Sequence, residues 1–419
     1  MENKPEISEL GEVFDVNPSR VIKRGEVTPF IPMEALPEHS REVSRVYYRE
    51  YSGSGTRFKN GDTLIARITP CLENGKTVFI SCLAENVVAH GSTEYIVLSG
   101  KQDVSESLYG YYLARSPDFR AYAIAHMEGT SGRQRVPASA VENYRISLPP
   151  LPEQRGIAEL LGSLDDKIAL NRHMNQTLET LAQAIFKSWF IDFDPVRAKM
   201  EDRAPVGMDA EMAALFPDAM DGDVPKGWRK GSLAGEFNLT MGQSPPGSTY
   251  NELKEGLPFF QGRTDFGFRF PTNRVYCTGP TRYANPGDTL VSVRAPVGEI
   301  NMAAEYCALG RGVAAVRHKS GSRSFTYYCM KSIQSKFKQF EAEGTVFGSI
   351  NKDDFKALEV FNPDLDILNL FEQLAHPIDQ MIENNEKEIT ALSGLRDLLL
   401  PKLLSGEVKV ENLDNQSGL

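Results

Sequence analysis

The residues best suited to chemistry in this chain are groups that recognise a partner, not groups that react with one. Gly129-Thr130-Ser131-Gly132-Arg133-Gln134-Arg135 gathers hydroxyls, an amide and two guanidinium groups into one short run. Glycine lets a backbone approach closely, and Ser and Thr can bind phosphate. Arg can fork onto guanine, and Gln can pair with adenine. Arg57, Lys59, Arg67, Asn74 and Lys76 offer similar chemistry, as do Ser92 and Thr93 after His90-Gly91. Later candidates are Gln243-Ser244 with Tyr250, then Gln261-Gly262-Arg263, and Arg294 beside Pro296. Arg311-Gly312 and Ser349-Ile350-Asn351-Lys352 complete the set, with Lys352 suited to phosphate. The bland alternative for each is a solvated polar surface, where such residues are common.

Groups that would make or break bonds are poorly placed. His39, His90, His126, His173, His318 and His376 form no i, i+4 pair, and no carboxylate cluster shows ligand spacing. Neither a metal nor a bound cofactor is expected. A DNA methyltransferase would need a Gly-rich cofactor turn and an Asn/Asp-Pro-Pro-aromatic motif. Leu148-Pro149-Pro150-Leu151 and Ser244-Pro245-Pro246-Gly247 both lack the acidic or amide residue in front. Base flipping demands a dedicated pocket, so the enzyme reading is the weaker one.

The positioning elements come in duplicate. Gly61-Asp62-Thr63-Leu64 with Pro70 returns 226 residues later as Gly287-Asp288-Thr289-Leu290 with Pro296. Glu128-Gly129-Thr130 returns after 215 residues as Glu343-Gly344-Thr345, so Lys352 and Arg133 both follow that motif. Each copy is a globular unit followed by a long helical pattern, which suits two reading heads better than one cleft. Strands are expected at 63–68, 77–80, 92–98 and 289–294, with an Asn-Gly hairpin at Glu73-Asn74-Gly75-Lys76. Helical segments are expected over 105–127, broken at Ser116-Pro117, and over 324–343.

The first long helix should start near Pro152 and stop near Phe193-Asp194-Pro195. It places Ile157, Leu164, Leu178 and Ile185 at heptad a, with Leu161, Ile168, Ala182 and Trp189 at d. The second places Ile367, Leu374, Met381 and Leu395 at a, with Phe371, Ile378, Leu392 and Leu399 at d. Asn171 and Asn175 interrupt one seam; Asn385 and Glu388 interrupt the other. Buried polar residues fix register, so antiparallel pairing should bring these four together. The alternative is that each helix packs on its own head and the Asn residues face water. A helix of about 34 residues spans ~50 Å, more than one turn of DNA at about 34–36 Å. Residues 196–227 should be an irregular linker with at most one short helix.

Composition sets the boundaries. A chain of 419 residues with 41% hydrophobic and 24% charged content can build two or three soluble domains. The net charge of −10 is uneven: −2 over 1–150, −7 over 151–225, +5 over 226–365 and −6 over 366–419. Acidic helices and a basic second head allow nucleic-acid contact by the heads. A coiled-coil scaffold that binds only protein would leave that basic head unexplained. No apolar run approaches the ~20 residues that span a membrane. The first residues lack signal-peptide features, and the five scattered cysteines suit a reduced compartment, so a cytoplasmic protein is expected.

One family matches these residues. Leu148-Pro149-Pro150-Leu151-Pro152-Glu153-Gln154-Arg155-Gly156-Ile157-Ala158 resembles the start of the central conserved region in specificity subunits of type I restriction–modification systems. Leu164-Asp165-Asp166-Lys167-Ile168-Ala169-Leu170-Asn171 and Ala184-Ile185-Phe186-Lys187-Ser188-Trp189-Phe190 resemble its continuation. Val224-Pro225-Lys226-Gly227-Trp228 and Met241-Gly242-Gln243-Ser244 look like the entry to a second target recognition domain.

The resemblance implies an α+β protein with two pseudo-repeated mixed α/β target recognition domains, 1–150 and 228–364. It implies conserved helical regions at 151–195 and 365–410, paired as an antiparallel coiled coil, a linker at 196–227 and a tail at 411–419. It further implies a non-catalytic, DNA-binding subunit whose domains read the halves of a bipartite site. The helices would set the gap and dock two methyltransferase subunits, which use S-adenosylmethionine, with endonuclease/translocase subunits joining them. Phe186, Trp189 and Phe190 are expected to be covered by the methyltransferase subunits. Pro377 and Pro401 have no counterpart in the first helix, so a kink or early end is expected there.

Overall fold

In both copies of the repeated Gly-Asp-Thr-Leu, the glycine has a positive φ, 86° at Gly61 and 81° at Gly287, and turns the chain into a strand. The following aspartate locks that turn. Asp62 Oδ2 accepts the Lys59 N–H at 2.7 Å, and Asp288 Oδ2 accepts the Asn285 N–H at 2.7 Å. The other carboxylate oxygen holds Arg20 in the first copy and Arg317 in the second. Leu64 and Leu290 then point into the core. The motif that marks the duplication is therefore a structural turn.

These observations come from a computed structural model that describes residues 7–337, 340 and 348–410. The second Glu343-Gly344-Thr345 and the 411–419 tail lie outside the described residues. The chain divides into two compact units: 1–171 with 388–419, and 172–387. Each unit takes half of each long helix.

The two units share a topology. In the first, an antiparallel sheet runs Phe14–Val16, Tyr95–Gly100, Asp62–Ala66, Thr77–Phe79. In the second the order is Phe237–Met241, Val313–His318, Thr289–Ser292, Ile300–Met302. A second sheet in each unit contains one parallel pair: Val27–Ile31 with Ala89–Gly91, and Leu257–Phe260 with Cys307–Leu309. Each head is closed by a short antiparallel pair, Ile7–Glu9 with Arg145–Ser147 and Arg229–Ser232 with Glu359–Asn362. The closing strand leads directly into a long helix. Two helices cover the first head, Ser107–Arg115 and Pro117–Ala125, with Ser116 Oγ capping the second at the Phe119 N–H.

Local expectations meet several differences. The hairpin expected at Asn74-Gly75 is the end of a long connection, 67–76, between paired strands. Gly75 still supplies the positive φ, and the Lys76 N–H closes onto the Cys71 carbonyl at 3.0 Å. The region expected as linker holds two helices, Asp194–Met200 and Ala210–Leu215, and a small hairpin at Met220–Asp221 and Val224–Pro225. Val196 and Phe216 are buried in the second unit's core, with Phe216 set edge-on to Trp189 at 5.1 Å. Apolar residues in a Pro-rich stretch were the overlooked signal.

The long helices are Leu151–Phe190 and Leu365–Leu404, 40 residues each. The second runs through Pro377 and ends three residues past Pro401. They pair antiparallel within each unit. In the first unit Asp165 meets Arg396 at 2.6 Å, and Asn171 donates to Glu388 at 2.8 Å. In the second, Asn385 donates to Asn175 at 2.8 Å, and the Phe186 and Phe371 rings lie 5.6 Å apart.

The expected seam is partly displaced. Leu161, Ile168, Ala182 and Trp189 are buried, but Asp165, Glu179 and Phe186 sit deeper than Leu164, Leu178 and Ile185. On the second helix Met381 is 47% and Leu395 45% exposed, while their neighbours Ile382 and Arg396 are buried. The helices pack on their heads as well as on each other, so the covered stripe is wider and rotated from a strict two-position seam.

Candidate nucleic-acid interface

Strand register aligns the loops of the two heads. Ala66 pairs with Tyr95 and Ser292 with Val313, so Thr93 and Arg311 occupy equivalent positions just before those strands. Isolated bridges Ile68–Arg135 and Arg294–Ser349 are equivalent in the same way. The loops carrying Thr93 and Arg311, Ile68 and Arg294, and Arg135 and Ser349 therefore match, although the side chains have different fates.

In the first head, Arg57, Arg67 and Thr93 line one polar cleft of about 460 Å³. Asn17, Pro18, Ser19, Gly55, Thr56 and Tyr95 complete it. Asn17 was missed by the sequence reading. It ends the strand Phe14–Val16 with φ of 51°, and its Oδ1 accepts the Val97 N–H at 2.9 Å. A polar residue able to take the left-handed conformation at a strand end was the available signal.

The loop 129–134 is a small hairpin, closed by reciprocal backbone bonds between Glu128 and Arg135 at 2.9 Å. Gly129 and Gly132 take positive φ, and the Arg133 N–H bonds the Thr130 carbonyl at 3.0 Å. Ser131 and Arg133 are exposed at its tip, with Gln134 half-buried behind them.

Arg135 differs from expectation. Its guanidinium grips both oxygens of Glu94, at 2.7 to 3.0 Å, and donates to the Arg133 carbonyl. That fork anchors the loop and is not presented to a base. Asn74, though exposed, donates to Glu38 at 3.0 Å, and half-buried Lys76 donates to the Met33 carbonyl at 3.3 Å. Ser92 Oγ accepts the Glu94 N–H at 3.1 Å, and Lys59 is exposed. His90 is buried beside Thr28, and burial lowers its pKa. Burial also pushes the Asp62 carboxyl up, against the opposing pull of the Lys59 amide and Arg20.

In the second head three loops converge at backbone distance. Gly310 N–H bonds the Phe260 carbonyl at 2.8 Å, Gln243 N–H the Leu309 carbonyl at 3.0 Å, and Val293 N–H the Gly312 carbonyl at 2.9 Å. A Cβ at Gly242 would stand 2.1 Å from the Gly310 oxygen, and one at Gly312 2.1 Å from the Gln261 oxygen. Glycine is required at both. The outcome brings exposed Gln243, Gln261 and Arg311 onto the converging loops with half-buried Ser244, whose Oγ meets the Arg311 N–H at 3.4 Å. Exposed Arg294 bridges to Ser349, and exposed Arg263 pairs with Glu299 at 3.8 Å. Tyr250 does not project: its hydroxyl donates to the Pro245 carbonyl at 2.7 Å and its ring packs on Phe259. Asn351 is the cap of the helix Lys352–Ala357, accepting the Asp353 and Asp354 N–H groups at 2.9 Å. Lys352, the first residue of that helix, is exposed.

Phe186, Trp189 and Phe190 require a correction. All three are buried within the second unit, against Phe325, Phe371, Phe216 and Trp228. The chain itself covers them, so they are not an exposed docking face.

The first turn of the first long helix has a structural duty. Gln154 is fully buried; its Oε1 accepts the Glu106 N–H at 2.8 Å, and its Nε2 donates to the Val104 and Pro149 carbonyls. The position 214 residues later is Leu368, also buried. The same offset relates Asp165 to Asp379 and Asn171 to Asn385, and the Tyr111-Tyr112 pair has a partner in Tyr327-Tyr328. These equivalences are legible in the sequence as nearly constant offsets. Among the described residues no His, Cys, Asp and Glu group is arranged to hold a metal ion, and no helix is long and apolar enough to cross a membrane.

Residues 3–180 match the family model described as the type I restriction modification DNA specificity domain. The chain is similar to the putative type I restriction enzyme MjaX specificity subunit of Methanocaldococcus jannaschii, with 25% identity covering 97% of this chain and 96% of that one. It is also similar to the HindI specificity subunit of Haemophilus influenzae, with 27% identity covering 88% and 90%. The crystal structure of the type I restriction-modification system S subunit from M. genitalium shares the fold, with a TM-score of 0.55 at 14% identity, covering 96% and 97%. Residues 3–180 thus resemble the type I specificity domain, and along nearly its whole length the chain is similar to specificity subunits of type I restriction–modification systems.

Proposed function

We propose that this chain is the non-catalytic DNA-reading subunit of its system, with each head reading one half of a bipartite site. The observation that carries this is the equivalence of the two heads, which brings Arg67 and Thr93 to one head's loops, beside Arg57 on the strand Thr56–Phe58, and Gln243, Gln261 and Arg311 to the other's. Arg and Gln side chains on Gly-rich loops suit base edges, while Ser, Thr and Lys suit phosphates.

The paired helices then set the gap between the half-sites. They also dock two adenine methyltransferase subunits that supply S-adenosylmethionine chemistry, and endonuclease/translocase subunits join through these. With Phe186, Trp189 and Phe190 committed to the core, docking passes to apolar residues left exposed on the helices. Leu170, Leu395 and Leu398 are such residues in the first unit, and Leu181 and Met381 in the second. A cytoplasmic site of action follows from this role.

Mapping modified adenines in the genome of the source cell should yield one asymmetric motif with a fixed unread gap. Purified chain, alone or with its methyltransferase subunits, should then bind that duplex in preference to duplexes altered in either half. Equal binding to all of these would overturn the reading.

A further inference from the structure

Each unit contains a buried polar junction at which its head meets both long helices. In the first unit, the Tyr112 hydroxyl donates to Asp165 Oδ2 at 2.7 Å, while Arg396 Nη1 donates to Asp165 Oδ1 at 2.6 Å. Tyr112 belongs to the head, Asp165 to the first helix and Arg396 to the second. In the second unit, the Tyr328 hydroxyl donates to Asp379 Oδ1 at 3.0 Å. Arg269, with no exposed surface, donates to Asp379 at 2.6 Å, to the Tyr328 oxygen at 3.0 Å, and to Glu179. Its guanidinium also lies 4.0 Å from the Tyr327 ring centre. Here Arg269 and Tyr328 come from the head, Asp379 from the second helix and Glu179 from the first.

The two junctions keep the Tyr–Asp bond at equivalent positions but take their cation from different elements. At the position equivalent to Arg396, the first helix has Ala182. Fully buried ion pairs are inefficient stabilisers, because desolvation consumes most of their attraction, and apolar replacements are often as stable. What such a cluster supplies and an apolar patch does not is direction, since every bond must meet its partner at one angle.

We infer that these junctions fix the angle at which each head is held on the helices, and that Tyr112, Asp165 and Arg396, with Tyr328, Asp379, Arg269 and Glu179, are positioning residues for site reading. The inference rests on the DNA-reading proposal above and adds what sets the geometry of each head. Loosening one junction leaves the base-reading loops intact but lets the head tilt, so the demand for one gap length weakens.

The test uses the full chain and the mapped duplex, with the gap native or changed by one base pair. A triple variant, Arg269→Met, Glu179→Leu and Asp379→Leu, keeps the site filled without directional bonds. Tyr328→Phe is the milder second variant and removes one hydroxyl. The preference for the native gap should fall by about tenfold in the triple variant, the scale of one strong coupling. Single-base preferences in both half-sites should stay as they were. Unchanged gap preference in either folded variant overturns the inference. So does a parallel loss of gap and base preferences, which marks general damage. A parent chain that ignores both bases and gap would instead sink the functional reading, and the inference with it.

Discussion

Arg133 and Arg135 stand two residues apart in one loop, yet the structure gives them different work. Arg135 is held by Glu94, while Arg133 is exposed at the tip, its side chain making no hydrogen bond or ion pair among the described residues. Arg133→Ala should therefore weaken DNA binding by about 1–3 kcal/mol if it reads a base, and relax preference at one base of one half-site. Folding stability should be unaltered. Titration against single-base duplex variants decides this, and affinity unchanged across the panel removes Arg133 from the interface. Composition could nominate both arginines, but only the position of Glu94, some forty residues earlier in sequence, separates them. The same holds for Asn74, Lys76 and Asn351, whose amide and ammonium groups satisfy local backbone or carboxylate partners.

Elements were more legible than contacts. The strands around Asp62–Ala66 and Thr289–Ser292 followed from a repeated four-residue motif, and both long helices from apolar periodicity. What the pattern could not show was the second surface that each helix packs against, which is why Met381 and Leu395 turn outward. Gln154 illustrates an element-scale joint, stitching the start of the first long helix to the head that precedes it. Gln154→Ala strands the Glu106 N–H and two carbonyls, and should cost about 2–4 kcal/mol. Urea unfolding of the variant should show an earlier transition. A change below about 0.5 kcal/mol, the scatter of ordinary surface substitutions, would show that the joint is not held there.

At the scale of the whole molecule, an acidic protein is proposed to grip a polyanion. Its charge is segregated by sequence: the 226–365 stretch is +5 within a total of −10. Binding should therefore weaken steeply between roughly 50 and 200 mM salt, and Arg311→Ala or Lys352→Ala should each reduce the logarithmic slope by about 1 where the group meets phosphate. Slopes unchanged in both variants would place their charges away from the duplex. The duplication itself was legible because short motifs recur at nearly constant offsets. The buried Tyr–Asp bonds were not recognised, because residues that meet across a head–helix boundary leave no local spacing to read.

Gly242 and Gly312 in the second head carry a practical consequence. Because no side chain of any kind fits at either place, the main chain there is an invariant frame, and only the neighbouring Gln243, Gln261 and Arg311 are free to vary. A laboratory seeking a new target sequence should randomise those neighbours and leave the frame untouched; libraries that mutate the two glycines should return mostly misfolded clones.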